Sequence, residues 1–275
     1  MMTLGIDIGG TTINLGLIDG ARVIKKAQIP SFPKTATLED TLIYLGDQIE
    51  QFLIPGVKQI GIGVPSLTDP VKGIVYNAAN IPSWDVVPLK DTLEARFDLP
   101  VFVNNDANCY ALGAAVKVGH QLPTVVTVTL GTGTGVGIVI DGELFSGTHC
   151  GSGEIGAIPY EGADYETFCS KKYFTARGLD PRALSKQAEK GDETALAHYR
   201  DFGMHMGRFL AVVMYAYDAD CIVLGGGIAN AFPYFSDAMW ESLRCSYPYQ
   251  SALDLLKIIA MPDEDTALVG AASLA

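Results

Sequence analysis

LGIDIGGTTINLGLIDG, residues 4–20, decides the reading of this chain. Apolar residues dominate Leu4–Ile8 and again Ile13–Ile18, with Gly9-Gly10-Thr11-Thr12 between them and Asp19-Gly20 after them. Two apolar runs around a short glycine-rich turn predict a β-hairpin, and a third strand is expected near Val23–Ile29. The pattern then returns. Thr124–Leu130 is a second strand candidate, Gly131-Thr132-Gly133-Thr134-Gly135 a turn and Val136–Ile140 the return, followed by Asp141-Gly142. Aligned on their ends, Leu17-Ile18-Asp19-Gly20 matches Val139-Ile140-Asp141-Gly142, Gly9 falls on Gly131 and Thr12 on Thr134. One supersecondary unit is used twice, without the short-period repetition of a solenoid.

The segments between these hairpins alternate helix and strand signals. Leu38, Leu42, Leu45, Ile49 and Phe52 recur at helical spacing, so Thr37–Leu53 reads as a helix with a capping box at Thr37 and Asp40, ended by Pro55-Gly56. Gln59–Val64 is a buried strand stopped by Pro65, and a loop rich in Pro, Asn and Gly is expected through about Pro88. Leu89–Phe97 reads as a helix, Val101–Asn104 as a strand and Asp106–Lys117 as a helix. The second half is mainly helical: Tyr165–Ala176, Pro181–Lys190, Glu193–Tyr217 and Phe235–Arg244, with strands at Cys221–Leu224 and Lys257–Ala260 and a closing helix from Asp265.

Composition bounds the function. Of 275 residues 48% are hydrophobic, enough for a substantial core. A net charge of −12 without any Lys/Arg run argues against a nucleic-acid partner, and it makes an anionic substrate depend on a locally arranged site. Five scattered cysteines lack the C-x-x-C spacing of a zinc or redox site and read as reduced thiols. The first residues carry no basic, apolar leader, and no apolar run is long enough to span a bilayer, so a cytoplasmic protein with no membrane partner is expected.

Three glycine clusters and one aspartate carry the chemistry. In Asp7-Ile8-Gly9-Gly10-Thr11-Thr12 the glycines let backbone N–H groups approach an anion, the threonine hydroxyls add donors, and Asp7 at a strand end suits a water-bridged Mg²⁺. Gly131, Thr132 and Gly133 repeat the arrangement. Either turn alone is an ordinary hairpin; two in matching register suit the two parts of a polyphosphate. Gly225-Gly226-Gly227 follows a buried strand and offers backbone to an adenosine. No G-x-x-x-x-G-K-[ST] motif is present, and the first cluster opens a hairpin rather than the helix of a dinucleotide-binding fingerprint. Asp106, in Val103-Asn104-Asn105-Asp106-Ala107, stands between a strand and a helix start. That is a helix-capping position by default. It also suits a carboxylate that accepts a hydroxyl proton during phosphoryl transfer, with Asn105 offering donor and acceptor atoms beside it.

Asp7–Thr12, Asn104–Ala107, Leu130–Gly135 and Gly153-Glu154-Ile155-Gly156, in this order, together with Gly225–Gly227 and the Glu264–Ala272 tail, resemble the ROK family (repressors, open reading frames and kinases) along essentially the whole chain. The resemblance implies an α/β, two-lobed actin/hexokinase-like (ribonuclease H-like) fold with ATP and sugar in the interlobe cleft. It implies a small N-terminal lobe over 1–108, a large C-terminal lobe over 109–261 and a helix at about 262–275 packing back on the first. The repressors of the family carry an added helix-turn-helix module; here the first hairpin begins at Leu4, which favours the kinase branch. Asp106 then matches the base acting on the sugar 6-hydroxyl, and Ser66, Asn80, Asn105, Glu154 and Glu166 match sugar-binding positions. Asp7, Gly9, Gly10, Thr11, Thr12, Gly131, Thr132 and Gly133 match the phosphate loops and Gly225, Gly226 and Gly227 the adenosine loop.

Departures from the family pattern matter as well. Many members have His after Glu-x-Gly, where this chain has Ala157, and a cysteine-rich zinc loop, where Ile158–Phe168 has no cysteine. No zinc site is therefore expected; His149 is a nearby imidazole, and Tyr165-Glu166-Thr167-Phe168-Cys169-Ser170 resembles a zinc-free branch. Thr12 stands where many relatives carry Lys, leaving more charge neutralisation to Mg²⁺ and backbone donors. The expected activity is a hexose kinase using ATP and Mg²⁺ on glucose or an N-acetylhexosamine, with fructose or allose as further candidates, working as a homodimer. The alternative is a catalytically silent sugar-binding regulatory protein, which need not keep Asp106 and both phosphate loops.

Overall fold

The computed structural model describes residues 1–78, 80–119, 121–148, 151–263 and 265–274. The chain divides into two compact units. The first comprises Met1–His120, Gly142–Ser152 and Glu264–Ala275, the second Gln121–Asp141 and Gly153–Asp263. The first unit thus takes in the whole helix after Asn105, where the sequence suggests a boundary at 108.

In the first unit the opening hairpin is β1 (Met2–Ile8) and β2 (Thr12–Asp19), extended by β3 (Arg22–Pro30). Two parallel strands, β4 (Val57–Val64) and β5 (Val101–Asn105), complete a sheet of order β3-β2-β1-β4-β5. Leu4, Ile6, Ile8, Ile13, Leu15, Ile60 and Ile62 are fully buried, which is why the apolar runs read so clearly. Helix α1 (Leu38–Glu50) starts as its capping box predicts: Asp40 N donates to Thr37 Oγ1 at 3.1 Å and Thr37 N to the Asp40 carboxylate at 3.2 Å. The Thr37 hydroxyl, which donates to the Asp40 carboxylate at 2.7 Å, and then the Thr37 N–H hold that carboxyl below the usual range.

The segment expected as loop through Pro88 is instead a small three-stranded sheet of Leu67–Asp69, Ile74–Tyr76 and Val86–Pro88. Its strands are three residues each, too short for an alternating pattern to show. What holds them is non-local. Val75, Val87 and Trp84 are buried, and the Trp84 indole donates to Thr41 Oγ1 of α1 at 2.8 Å. Helices α2 (Leu89–Phe97) and α3 (Asp106–Val118) flank β5 in sequence. The closing helix, Asp265–Ala272, is also part of this unit: Lys117 of α3 donates to Thr266 Oγ1 at 2.8 Å, and Lys26 of β3 pairs with Asp265 at 2.7 Å.

The second unit repeats the opening arrangement. β6 (Thr124–Leu130) and β7 (Thr134–Ile140) form a hairpin, and β8 (Cys221–Gly225) and β9 (Lys257–Ala260) add parallel strands on the β6 side. The equivalence is close but not complete. The first hairpin closes on the pair Ile8 and Ile13, the second on Leu130 and Thr134, so the second turn is one residue shorter. The helix expected over 165–176 is two, α4 (Tyr165–Cys169) and α5 (Lys171–Thr175), separated by Ser170 in extended conformation. After α6 (Pro181–Glu189) comes the 25-residue α7 (Glu193–Tyr217), begun by an Asp192 side chain that accepts from Ala195 N. Its Phe202, Met206, Phe209, Leu210 and Val213 are fully buried, in one cluster with Phe235, Met239 and Leu243 of α8 (Phe232–Ser246). Cys109, Cys169 and Cys221 are buried free thiols and Cys245 an exposed one; Cys150 lies outside the described residues. Among the described residues no helix is long and apolar enough to cross a membrane.

Candidate active site

In the first unit the parallel strands β1, β4 and β5 align Asp7 with Gly63 and Gly63 with Asn104. Neighbouring strands lie about 4.8 Å apart, so these three positions form one short row at the carboxyl ends of the strands. The sequence here keeps a glycine for a spatial reason. A Cβ at Gly63 would stand 3.2 Å from Cys109 Sγ and 3.5 Å from Asp106 Cα. Helix α3 therefore begins directly over the row, with Asp106 as its first residue. An electrostatic link agrees: burial, then the negative charges of Asp7 and Asp106, push the Cys109 thiol well above its ordinary value.

The cap of α3 is Asn105, not Asp106. Asn105 Oδ1 accepts from Ala107 N at 2.9 Å and from Asn108 N at 3.3 Å, and its Nδ2 donates to the Ser66 carbonyl oxygen at 3.2 Å. Three consecutive cap-capable residues, Asn104, Asn105 and Asp106, hide this choice in the sequence. The Asp106 carboxylate accepts from Ala107 N through Oδ1 at 2.8 Å. Ser66 Oγ is buried and has no hydrogen-bond partner among the described residues, so it can serve a ligand or a water.

The first glycine turn sits beside these groups in the same unit. Gly9 N donates to Thr12 O at 2.8 Å, Ser31 Oγ donates to Gly9 O at 2.7 Å, and Gly10 and Thr11 are exposed at the tip. Asn80 packs against the tip: a Cβ at Gly10 would be 3.0 Å from Asn80 Cβ and Cγ. Asp7 accepts from Asn14 Nδ2 at 3.3 Å, and Asn14 Oδ1 accepts from Gln28 Nε2 at 2.9 Å, a polar ladder across β1, β2 and β3. Thus Asp7, Gly9, Gly10, Thr11, Thr12, Ser66, Asn80, Asn105 and Asp106 all belong to the first unit.

Gly131, Thr132, Gly133, Glu154, Glu166, Gly225, Gly226 and Gly227 belong to the second. The junction of α4 and α5 clasps the second glycine turn from three sides. Lys171 N donates to Gly131 O at 2.9 Å, Thr134 Oγ1 donates to Cys169 O at 2.9 Å, and Thr134 N donates to Glu166 Oε2 at 3.0 Å. Thr132 is exposed at the tip. Glu154 is exposed at the start of a short turn, Glu154–Ala157, whose Gly156 lies against the Thr134 carbonyl and the Glu166 side chain. Gly226 has φ +78, and a Cβ there would be 2.5 Å from the Leu130 carbonyl, so the third glycine run is held against the end of β6, just before Gly131. Gly227 opens a turn of 3-10 helix that leads into α8.

Two residues of this geometry carry no local sequence signal. Lys172 forms an ion pair with Glu166 Oε1, which raises the lysine's pKa. Gly63 makes the room for α3. Their partners are remote in sequence or lie across a helix break, and only the fold brings them together. Among the described residues no group of three or more His, Cys, Asp or Glu could hold a metal ion, and His149 lies outside them.

A hairpin plus parallel strands, built twice and flanked by helices, defines an α/β protein of the actin/hexokinase type. The sequence matches the ROK family over residues 3–275. It is 32% identical to the N-acetyl-D-glucosamine kinase of Shigella flexneri serotype 5b (strain 8401), over 89% of either chain. The chain belongs to the ROK family. Its fold is similar to that of a ROK family glucokinase from Streptomyces griseus, solved in complex with glucose and AMPPNP. That likeness has a TM-score of 0.84 and 26% identity, and covers 100% of this chain and 99% of that one. A ROK family transcriptional regulator, homologous to the MLC protein of E. coli, shares the fold with a TM-score of 0.85 at 23% identity; the match covers 99% of this chain and 77% of the regulator.

Proposed function

We propose that this protein transfers the γ-phosphoryl group of ATP to the 6-hydroxyl of a hexose, glucose or an N-acetylhexosamine, with Asp106 as general base. That the chain is a sugar kinase, a phosphotransferase with an alcohol acceptor, follows from its family and its kinase relatives. The finer assignment is supported chiefly by one observation: Asp106 opens α3 directly over the row that holds Asp7, with its neighbour Asn105 taking the capping duty.

In the proposed reaction the sugar hydroxyl gives its proton to the Asp106 carboxylate as its oxygen attacks the γ-phosphorus. The bond from that phosphorus to the bridging oxygen breaks, and ADP leaves. Asn80, Asn105, Ser66, Glu154 and Glu166 hold the sugar by hydrogen bonds, the orphaned Ser66 hydroxyl among them. The exposed tips Gly9–Thr12 and Gly131–Gly133 supply backbone and hydroxyl donors to phosphate oxygens, and Gly225–Gly227 supports the adenosine. Asp7 offers hard carboxylate oxygen beside the first turn, which fits a Mg²⁺ arriving with ATP; that ion supplies charge neutralisation when bound. The reading places the enzyme in the cytoplasm, and the family likeness suggests that it works there as a homodimer.

The test is the product. Phosphorus-coupled NMR of the sugar phosphate formed from ATP should show phosphate on the primary 6-oxygen. Phosphate on the anomeric or a ring secondary oxygen would overturn the assignment of Asp106 to the 6-hydroxyl.

A further inference from the structure

Glu166 and Lys172 are six residues apart, a spacing that places side chains on different faces of an unbroken helix. They meet because the helix breaks. Ser170 takes φ −132 and ψ −171, ends α4, and restarts the chain as α5 by accepting from Lys172 N at 3.1 Å. The break turns the Lys172 ammonium onto Glu166 Oε1, while Oε2 of the same carboxylate accepts from Thr134 N at 3.0 Å and lies against Gly133. Among the described residues each carboxylate oxygen is thus pinned once, which leaves a lone pair on both for a ligand. The side chains of Lys172 and Glu166 are 51% and 32% exposed, so the ion pair adds little to stability and its effect is on geometry.

We propose that Lys172 is a positioning residue for the sugar, acting through Glu166; the inference rests on the sugar-kinase reading above. A free glutamate side chain samples several rotamers and loses that freedom on binding. Lys172 and the Thr134 amide remove it beforehand, so that Glu166 presents fixed acceptors to sugar hydroxyls. The helix break at Ser170 is the device that makes the pair.

The experiment compares K172M, K172Q and K172R with the wild type in steady-state kinetics, using the sugar the wild type phosphorylates best and Mg·ATP. Thermal unfolding of each variant serves as the check on folding, and K172Q replaces K172M if the latter does not fold. The expected result is a sugar KM raised about tenfold in K172M or K172Q, with kcat and the KM for ATP changed less than about twofold. K172R, which keeps the charge, should recover most of the loss. An unchanged sugar KM, or an equal rise in the KM for ATP, would overturn the role of Lys172 while leaving the kinase reading intact. A wild type that phosphorylates no sugar would remove the kinase reading and this inference with it.

Discussion

Asn105 joins two structural duties in one side chain: its oxygen caps α3 through Ala107 N and Asn108 N, and its nitrogen reaches the Ser66 carbonyl at 3.2 Å. The two can be separated by mutation. Asn105→Ala loses both and should cost about 1 kcal/mol of stability, the usual value of an N-cap, as well as sugar affinity. Asn105→Asp keeps a capping oxygen but not the donor to Ser66, so it should unfold near the wild-type denaturant midpoint while still raising the sugar KM. Equal loss of stability in the two variants would show that the cap is not what Asn105 supplies.

Asp106→Asn removes the proposed base but keeps the size of the side chain. The expected fall in kcat is about 10²- to 10⁴-fold, the range for a positioned general base. Sugar affinity by calorimetry should change little, because the sugar contacts assigned to Asn105 and Glu166 remain. A variant with near-normal turnover would take the base role away from Asp106.

Thr41→Val addresses the core of the first unit. The Trp84 side chain is buried, and its Nε1–H donates to Thr41 Oγ1 at 2.8 Å. Valine matches the shape and leaves that donor unsatisfied, at an expected cost of about 1–3 kcal/mol in urea unfolding. Specific activity below the unfolding transition should stay at the wild-type level, since Thr41 is not among the candidate site residues. A loss below a few tenths of a kcal/mol would mean that water satisfies the indole.

His205 governs an acid-side prediction in the second unit. Burial lowers its pKa, against the pull of Asp201, whose carboxylate lies 3.9 Å from Nε2; Arg208, Arg177 and Glu161 act more weakly. Its Nδ1 is hydrogen-bonded to the Tyr160 hydroxyl at 2.9 Å, and that hydroxyl also accepts from Arg208 at 2.8 Å. The folded protein therefore holds His205 neutral where the unfolded chain, with an ordinary value of about 6.5, takes up a proton. The unfolded state binds more protons in that window, so this contribution is complete above about pH 6.5 and is lost as pH falls towards and through the lowered value. Thermal midpoints of wild type and His205→Gln, compared between about pH 7.5 and about pH 5.5, should show a steeper acid decline in the wild type. Parallel declines would rule His205 out as the source.

Much of this architecture was legible because its signals are local. The two hairpins announce themselves through apolar runs closed by glycine turns, and the capping box at Thr37 and Asp40 places the start of α1 to within a residue, while its end falls three residues short of the expected Leu53. Local signals also misled. The three-residue strands between Leu67 and Pro88 are held by Trp84, Val75 and Val87 in a distant core, and no window of sequence carries that information. A helical reading ran on through Ser170, because the extended conformation there depends on the clasp between α4, α5 and the second glycine turn.

The candidate site divides in the same way. Asp7, the glycine turns and Asp106 stood out by residue type and position. The choice of Asn105 as cap did not, since Asn104, Asn105 and Asp106 are all competent, and the register of β4 with β5 settles which one reaches Ser66. Lys172 was silent in the sequence because its partner is reached only through a helix break.

ADP release from Mg·ATP, followed across a panel of hexoses and N-acetylhexosamines, bears most directly on the central claim. The expected result is a sugar-dependent rate with one clear preference among glucose and the N-acetylhexosamines, and almost none without sugar. Measurable sugar binding with no ADP release for any member of the panel would contradict it and leave a sugar-binding regulator in its place.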